Sequence, residues 1–453
     1  MTALPRILPA LPAHTSARTS ALLGQHDLLH DLSYGLGGPY HVLIPAEFDR
    51  NVAEFVSALT AHGVDGRVYY AKKANKANCW VQRCAESGTG VDVASVGELR
   101  GALGHGVRGE NLVVTGPAKA AELLRLAILH RALIAVDSLD ELSRIIALAT
   151  DRDTPRLLLR CLPPTQADSR FGLDGDELEE AMHRCRQVTR WVRLEGFSCH
   201  LAGYDIHPRA DLAAELIGRC REARALGLPA DRISIGGGFA VDYVGAEDWQ
   251  RFHSGQSADL FHAGRRFREF YPYHSPVSGA DVLTAVLTAT PAGQGRTVAA
   301  LLRDAGVTLL VEPGRALLDQ AGCTVFRVQG VKSRGYGILT VDGTSLSLSE
   351  QWFNSEFLPD PVLIRRPGRR PGPGFAACVG GASCLESDML TWRKIAFPAR
   401  PEPGDLLVYL NTAGYQMDSN ESSFHELPLP PKVVLEDGFR WRLDRAPSQE
   451  DSR

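Results

Sequence analysis

The sequence predicts an α/β chain, a (β/α)8 TIM-type barrel joined to a second, mostly β domain. Between Tyr40 and Ala316, short apolar runs alternate with segments of helical spacing, the pattern of parallel strands linked by crossover helices. After Ala316 the runs become β-rich and are broken by proline and glycine. The length of 453 residues exceeds one ordinary core, so two domains are expected.

Taken in order, residues 1 to about 40 are rich in Pro, Leu, Ala and Gly and read as an irregular arm or the edge of the β domain. Tyr40–Ile44 is a candidate strand, and Asn51 to His62 carries Val52, Phe55, Val56 and Leu59 at helical spacing. The stretch Val68 to Asn75 reads as a strand running into a turn that presents a lysine. A helix over Trp80 to Ser87 and a strand from Gly90 to Ser95 follow. Further strands are expected at 111–115, 133–136, 157–161, 194–200, 232–235 and 308–311. The barrel is placed at 40–318, and within it the stretch from Asp248 to Phe270 is aromatic and charged at helical spacing. Residues 1–39 and 319–453 form the β domain, with strands at 323–331, 337–341, 375–379, 405–410 and 440–443. The run 366–374 is a loop, because its prolines and glycines cannot hold a regular ladder, and the polar tail 446–453 frays.

Composition removes several classes of function. A formal net charge of -4 with 23% charged residues and no basic stripe gives no footprint for nucleic acid or an anionic membrane. No apolar run is long enough to span a bilayer, and the N-terminal stretch lacks a continuous signal-peptide core, so a soluble cytoplasmic protein is expected. Nine cysteines, at 79, 84, 161, 185, 199, 220, 323, 378 and 384, show neither CxxC nor metal-ligand spacing. They point to a reducing compartment and to no metal site.

Three stretches carry candidate chemistry. The lysine strand can present a reactive amine, since a part-apolar surrounding disfavours the ammonium and exposes the neutral nucleophile. Ile233 to Ile235 followed by Gly236, Gly237 and Gly238 can turn backbone N–H groups onto an anion at a strand end. Taken alone, three glycines also describe an ordinary tight turn. In Glu312-Pro313-Gly314-Arg315, the guanidinium can fork onto phosphate and the carboxylate can face a protonated ring nitrogen; a local salt bridge is the plainer alternative.

Together, Tyr70 to Asn75, Asp92 to Leu99, His200, the triple glycine, Glu312 to Arg315 and Cys384 resemble the ornithine/diaminopimelate/arginine decarboxylase family. These are pyridoxal-phosphate enzymes on an alanine-racemase-like barrel, fold type III, and the motifs run in family order from about Tyr40 to Val433. The resemblance implies pyridoxal 5'-phosphate as cofactor, held by Lys73 as an internal aldimine. It implies that Gly236, Gly237, Gly238 and Arg315 bind its phosphate and that His200 stacks on its ring. Glu312 would keep the pyridine nitrogen protonated, making the ring an electron sink through a quinonoid intermediate. Family register selects Lys73 over Lys72, in agreement with strand alternation that would place Tyr69, Ala71 and Lys73 on one face. The resemblance further implies a homodimer with shared sites, in which Cys384 and Tyr415 reach the cofactor from the partner subunit. Cys384 would protonate the carbanion.

The chain departs from the pattern at three places. Between Gly238 and Glu312 it is longer than the family usually needs, and this insertion near 245–305 reads as a lid, a substrate wall or a decoration of the rim. After the histidine it reads Leu201-Ala202-Gly203-Tyr204, without the family's small polar phosphate contact. After Cys384 stands Leu385 where an acid is common, leaving Glu386 and Asp388 as candidate substrate residues. The expected function is removal of the α-carboxylate of an amino acid, with diaminopimelate, ornithine and lysine as models. A catalytically silent regulatory homologue and a racemase of the same fold are the alternatives.

Overall fold

The computed structural model describes residues 10–348, 355–369 and 372–444. Eight parallel strands close into a barrel: β2 (Gly66–Ala71), β3 (Gly90–Val93), β4 (Leu112–Val114), β5 (Leu133–Val136), β6 (Arg156–Arg160), β7 (Arg193–Ser198), β8 (Arg232–Ser234) and β9 (Thr308–Val311). Closure is made by β2 pairing with both β3 and β9. Each strand is short and apolar because it is covered on both sides, by side chains inside the barrel and by helices outside. Tyr69, Val113, Leu133, Leu158 and Leu310 form a small cluster of their own among the barrel strands. Gly90 is required there, since a Cβ would fall 2.3 Å from the Tyr69 ring. Beside these residues Glu195 accepts from Arg156 at 2.8 and 3.0 Å and pairs with Arg232 at 3.1 Å.

The strand β1 (Tyr40–Leu43), expected to open the barrel, belongs to the other sheet. It pairs antiparallel with β10 (Gly322–Ser333) and parallel with β16 (Lys432–Leu435). A short buried strand carries its apolar pattern in either setting, so sequence gives its existence without its neighbours. The barrel strands therefore begin at Gly66, and the helix Pro45–Ala61 leads into them with Phe48, Val52, Phe55 and Leu59 buried.

The second sheet also contains β11 (Gly337–Val341), β12 (Val362–Ile364), β13 (Phe375–Gly380), β14 (Met389–Phe397), β15 (Leu406–Leu410) and β17 (Trp441–Leu443). Its main path runs β14-β13-β11-β10-β1-β16-β17, with β15 joining β10 to β12. The residues read as an irregular arm form two helices, Ala17–Leu23 and His26–Leu36. Ser16 caps the first by accepting from the Thr19 N–H at 3.1 Å, and Leu22, Leu29 and Leu32 pack against the strands of this sheet. Parts of the 366–374 loop and all of the 446–453 tail lie outside the described residues.

The insertion is narrower than the sequence suggests. Helices Gly279–Thr288 and Val298–Ala305 pack on the outer ring against Ile206–Ala225, so they are barrel helices. The added piece is the stretch before them, helix Ala246–Gly255 and an irregular aromatic run. It braces the two domains: Phe261 bridges Arg393 on β14, Lys394 donates to the Asp259 carbonyl at 2.6 Å, and Arg265 lies 4.2 Å over the Trp392 ring.

Candidate active site

The carboxyl ends of the barrel strands surround a cavity of about 480 Å³. At the end of β2 the chain leaves the strand and Lys72–Ala74 forms a single 3-10 turn, so strand alternation does not extend to the lysines. The turn still aims Lys73 into the cavity, where Nζ lies 3.3 Å from Asp92 Oδ2 on β3. Lys72 is buried elsewhere and donates to the Lys76 carbonyl at 3.3 Å. Half of the Lys73 side chain, 51%, opens onto the cavity. Desolvation works against its charge, yet Asp92, then Tyr415 and Glu312, outweigh it and raise the Lys73 pKa. The expected neutral amine is therefore corrected to an ammonium held by Asp92.

Glu312 follows β9 and accepts from Ser234 Oγ at 2.6 Å, while its N–H donates to the Gly236 carbonyl at 2.9 Å. Burial, followed by the Asp92 charge, pushes its carboxyl up to about 7. His200, two residues past β7, is pushed down to about 4 by burial and by the Lys73, Arg160 and Arg209 charges, so its imidazole is neutral. Its Nδ1 accepts from the Gly237 N–H at 3.3 Å.

Gly236 and Gly238 take φ of 67° and 78°, in the left-handed region. A Cβ at Gly236 would lie 2.5 Å from His200 Nδ1, and one at Gly237 would lie 2.8 Å from the Glu312 carbonyl. Arg315 is buried, donates to the Tyr243 hydroxyl at 3.1 Å and stacks over Tyr271 and Tyr415 at 4.1 and 5.0 Å. Tyr271 comes from the inserted aromatic run. Tyr415 lines the cavity of its own chain, with its N–H on the Ala74 carbonyl at 2.7 Å. This corrects the expectation that Tyr415 arrives from a partner subunit.

The structure thus brings Lys73, His200, Gly237, Gly238, Glu312, Arg315 and Tyr415 to one cavity, with Gly236 beside it. Cys384, Glu386 and Asp388 do not line it; they lie on the loop between β13 and β14. Asp388 is buried, and its two oxygens accept from the Ser345 N–H at 2.7 Å and the Ser383 N–H at 3.1 Å. Its carboxylate is occupied in folding the loop, which corrects its reading as a substrate contact. Glu386 is exposed, and Cys384 Sγ is 3.1 Å from His425 Nε2. Asp92 and Ser234 were given no role by sequence reasoning. Their signal was present, a carboxylate and a hydroxyl within apolar strands, where buried polar groups need a partner.

The family model for the pyridoxal-binding domain of pyridoxal-dependent decarboxylases matches residues 46–264. The chain is 39% identical over 435 residues to the uncharacterized protein y4yA of Sinorhizobium fredii, covering 94% of each chain. It is 26% identical to the diaminopimelate decarboxylase of Bacillus subtilis, covering 95% of this chain and 93% of that one. In fold it is similar to diaminopimelate decarboxylase from M. jannaschii (TM-score 0.74, 20% identity, 92% and 91% covered). It is also similar in fold to a lysine/ornithine decarboxylase from Vibrio vulnificus (TM-score 0.69, 19% identity, 93% and 99% covered).

Fold and site together define a pyridoxal-phosphate enzyme on a (β/α)8 barrel with a β domain. The chain belongs to the pyridoxal-dependent decarboxylase family, on the fold type III barrel. The cavity fits that cofactor: an amine for its aldehyde, a glycine cradle that any Cβ would fill, a guanidinium, and a buried carboxyl opposite. Among the described residues no helix is long and apolar enough to cross a membrane.

Proposed function

We propose that this protein removes the α-carboxylate of an amino acid, with Lys73 as the amine that takes the cofactor's aldehyde. The observation that carries this reading is the convergence of Lys73, Glu312, His200 and the glycine turn on one cavity. When bound, pyridoxal phosphate supplies the electron sink for the pair left on the α-carbon as carbon dioxide departs. Glu312, its carboxyl raised to about 7 by burial, would face the ring nitrogen and exchange a proton with it near neutral pH. His200, neutral and tied to Gly237, offers a flat uncharged face to the ring. Arg315 and the glycine turn hold the phosphate, and Tyr271 and Tyr415 flank the guanidinium so that it keeps one orientation.

Cys384 supplies a proton to the α-carbon from a second copy of the chain, in a homodimer with shared sites in the cytoplasm. Its exposure in one chain and its place outside the lining of the Lys73 cavity support that arrangement. Diaminopimelate, ornithine and lysine are the model substrates, as the relatives' names suggest. On the Cys384 loop, Glu386 is the acidic side chain that remains exposed to read a distal ammonium, beside Leu385 at 51% exposure. The test is carbon dioxide release by the purified, cofactor-loaded protein across amino acids of both configurations, with each product identified by mass. Racemised substrate without carbon dioxide would replace this reading with the racemase. Bound cofactor with no turnover on any amino acid would favour the silent homologue.

A further inference from the structure

Helix Ile206–Ala225 starts behind the glycine turn and sends one side chain back toward the loop that precedes it. That side chain is Arg209, 1% exposed. Its Nε donates to the Gly237 carbonyl at 3.4 Å and its Nη1 to the Asp205 carbonyl at 2.9 Å. Its Nη2 donates to the carbonyls of Gly203 at 2.7 Å and Leu201 at 3.4 Å. Every one of these acceptors is a backbone oxygen, and among the described residues no carboxylate lies within ion-pair distance of this guanidinium. Burial lowers its pKa, against the opposing pull of Asp205. A buried cation satisfied only by dipoles is costly for a fold to keep, and an anion placed nearby would offset that cost.

The peptide plane shows where the anion belongs. In a trans peptide the carbonyl and the following N–H point in opposite directions. Holding the Leu201 and Gly237 carbonyls on Arg209 therefore turns the Ala202 and Gly238 N–H groups away from it. Ala202 and Gly238 come from two different loops, and both line the Lys73 cavity. Neither N–H donates to any described residue. Gly238 must be glycine for this seat to exist, because a Cβ there would fall 1.9 Å from Arg209 Nη2.

We propose that Arg209 is a positioning residue, a buried clamp that aims the Ala202 and Gly238 N–H groups at the cofactor's phosphate and sets its own charge behind them. It touches no ligand itself. The inference rests on the reading that this cavity takes pyridoxal phosphate, and goes beyond it by assigning the loop after His200 to the phosphate.

The test titrates the cofactor-free protein with pyridoxal phosphate and, separately, with pyridoxal, following visible absorbance and tryptophan fluorescence. Arg209→Gln should weaken pyridoxal phosphate roughly tenfold or more and leave pyridoxal within about twofold, with Arg209→Lys between the two because it keeps a charge and loses the fork. Equal weakening of both ligands would mean that Arg209 only supports the fold, and unchanged binding of both would remove it from the site; either result overturns the clamp. Should the Arg209 variants fail to fold, Gly238→Ala displaces the guanidinium without deleting it and should show the same phosphate-selective loss. Normal affinity for pyridoxal phosphate in Gly238→Ala also overturns the clamp. If the wild-type protein binds pyridoxal phosphate no better than pyridoxal, the phosphate site itself is wrong and the clamp falls with it.

Discussion

Asp92 Oδ2 lies 3.3 Å from Lys73 Nζ, and its other oxygen accepts from Thr115 Oγ1 at 2.6 Å. The carboxylate is thus fixed by β4's end and cannot swing away from the amine. Before the cofactor attaches, Asp92 holds Lys73 as an ammonium, and attack on an aldehyde needs the neutral form. Asp92→Asn removes the leading charge that raises the Lys73 pKa, so the pH at which cofactor attaches should move downward. Attachment rate against pH, followed by visible absorbance, measures this; an unmoved or upward midpoint would show that Asp92 does not set the amine's charge.

Borohydride reduction of the loaded protein and peptide mapping should find the pyridoxyl group on Lys73. Lys72 is buried outside the cavity lining, with its amine on the Lys76 carbonyl. A label on Lys72 would require the 3-10 turn to refold.

Glu312→Gln should retain cofactor while slowing decarboxylation by about a hundredfold, since an amide accepts from Ser234 but gives the ring nitrogen no carboxyl proton. The same variant tests the raised pKa in the cofactor-free protein. A carboxyl with folded pKa of about 7 contributes stability that is complete below its ordinary value and is lost as pH rises through 7. The amide cannot ionise, so the variant should gain in thermal midpoint over wild type at pH 8 and not at pH 4. Equal differences at the two pH values would contradict the shift.

Cys384 is the one exposed member of the nine cysteines, so mild alkylation of the native protein should modify it alone. Cys384→Ala should divert product toward an aldehyde and an aminated cofactor, because the α-carbon then lacks its proton donor. Subunits carrying Lys73→Ala, mixed with subunits carrying Cys384→Ala, should regain activity through the one intact shared site. Mixed dimers that form and stay inactive would place the two residues in separate functions.

The barrel was legible because its strands are buried on both faces and so read as uninterrupted apolar runs. The same property hid the allegiance of Tyr40–Leu43, whose partners β10 and β16 are hundreds of residues away in the chain. Lys73, Glu312 and Arg315 were legible because each stands at a strand end, where side chains leave the wall and face the cavity, whereas His200 was legible only through the family resemblance. Strand alternation does not account for the orientation of Lys73, since the chain turns at Lys72 before alternation can apply. Asp388 was misread because an acid in a promising loop looks the same in sequence whether it faces a ligand or, as here, two backbone N–H groups. Arg209 was invisible because nothing in a helix's sequence reveals a side chain folded back over the preceding loop.

The hydrogen bond from the Tyr415 N–H to the Ala74 carbonyl has a bearing on assembly. Ala74 closes the turn that carries Lys73, while Tyr415 follows β15, a strand of the other sheet. The catalytic centre is consequently a joint product of both halves of the polypeptide, and the barrel cut off after Leu318 would fold with its lysine turn unbraced and Arg315 lacking one of its aromatic faces. Uptake of the coloured cofactor during refolding can therefore serve as a clock for the docking of the two halves, running later than the appearance of helical structure.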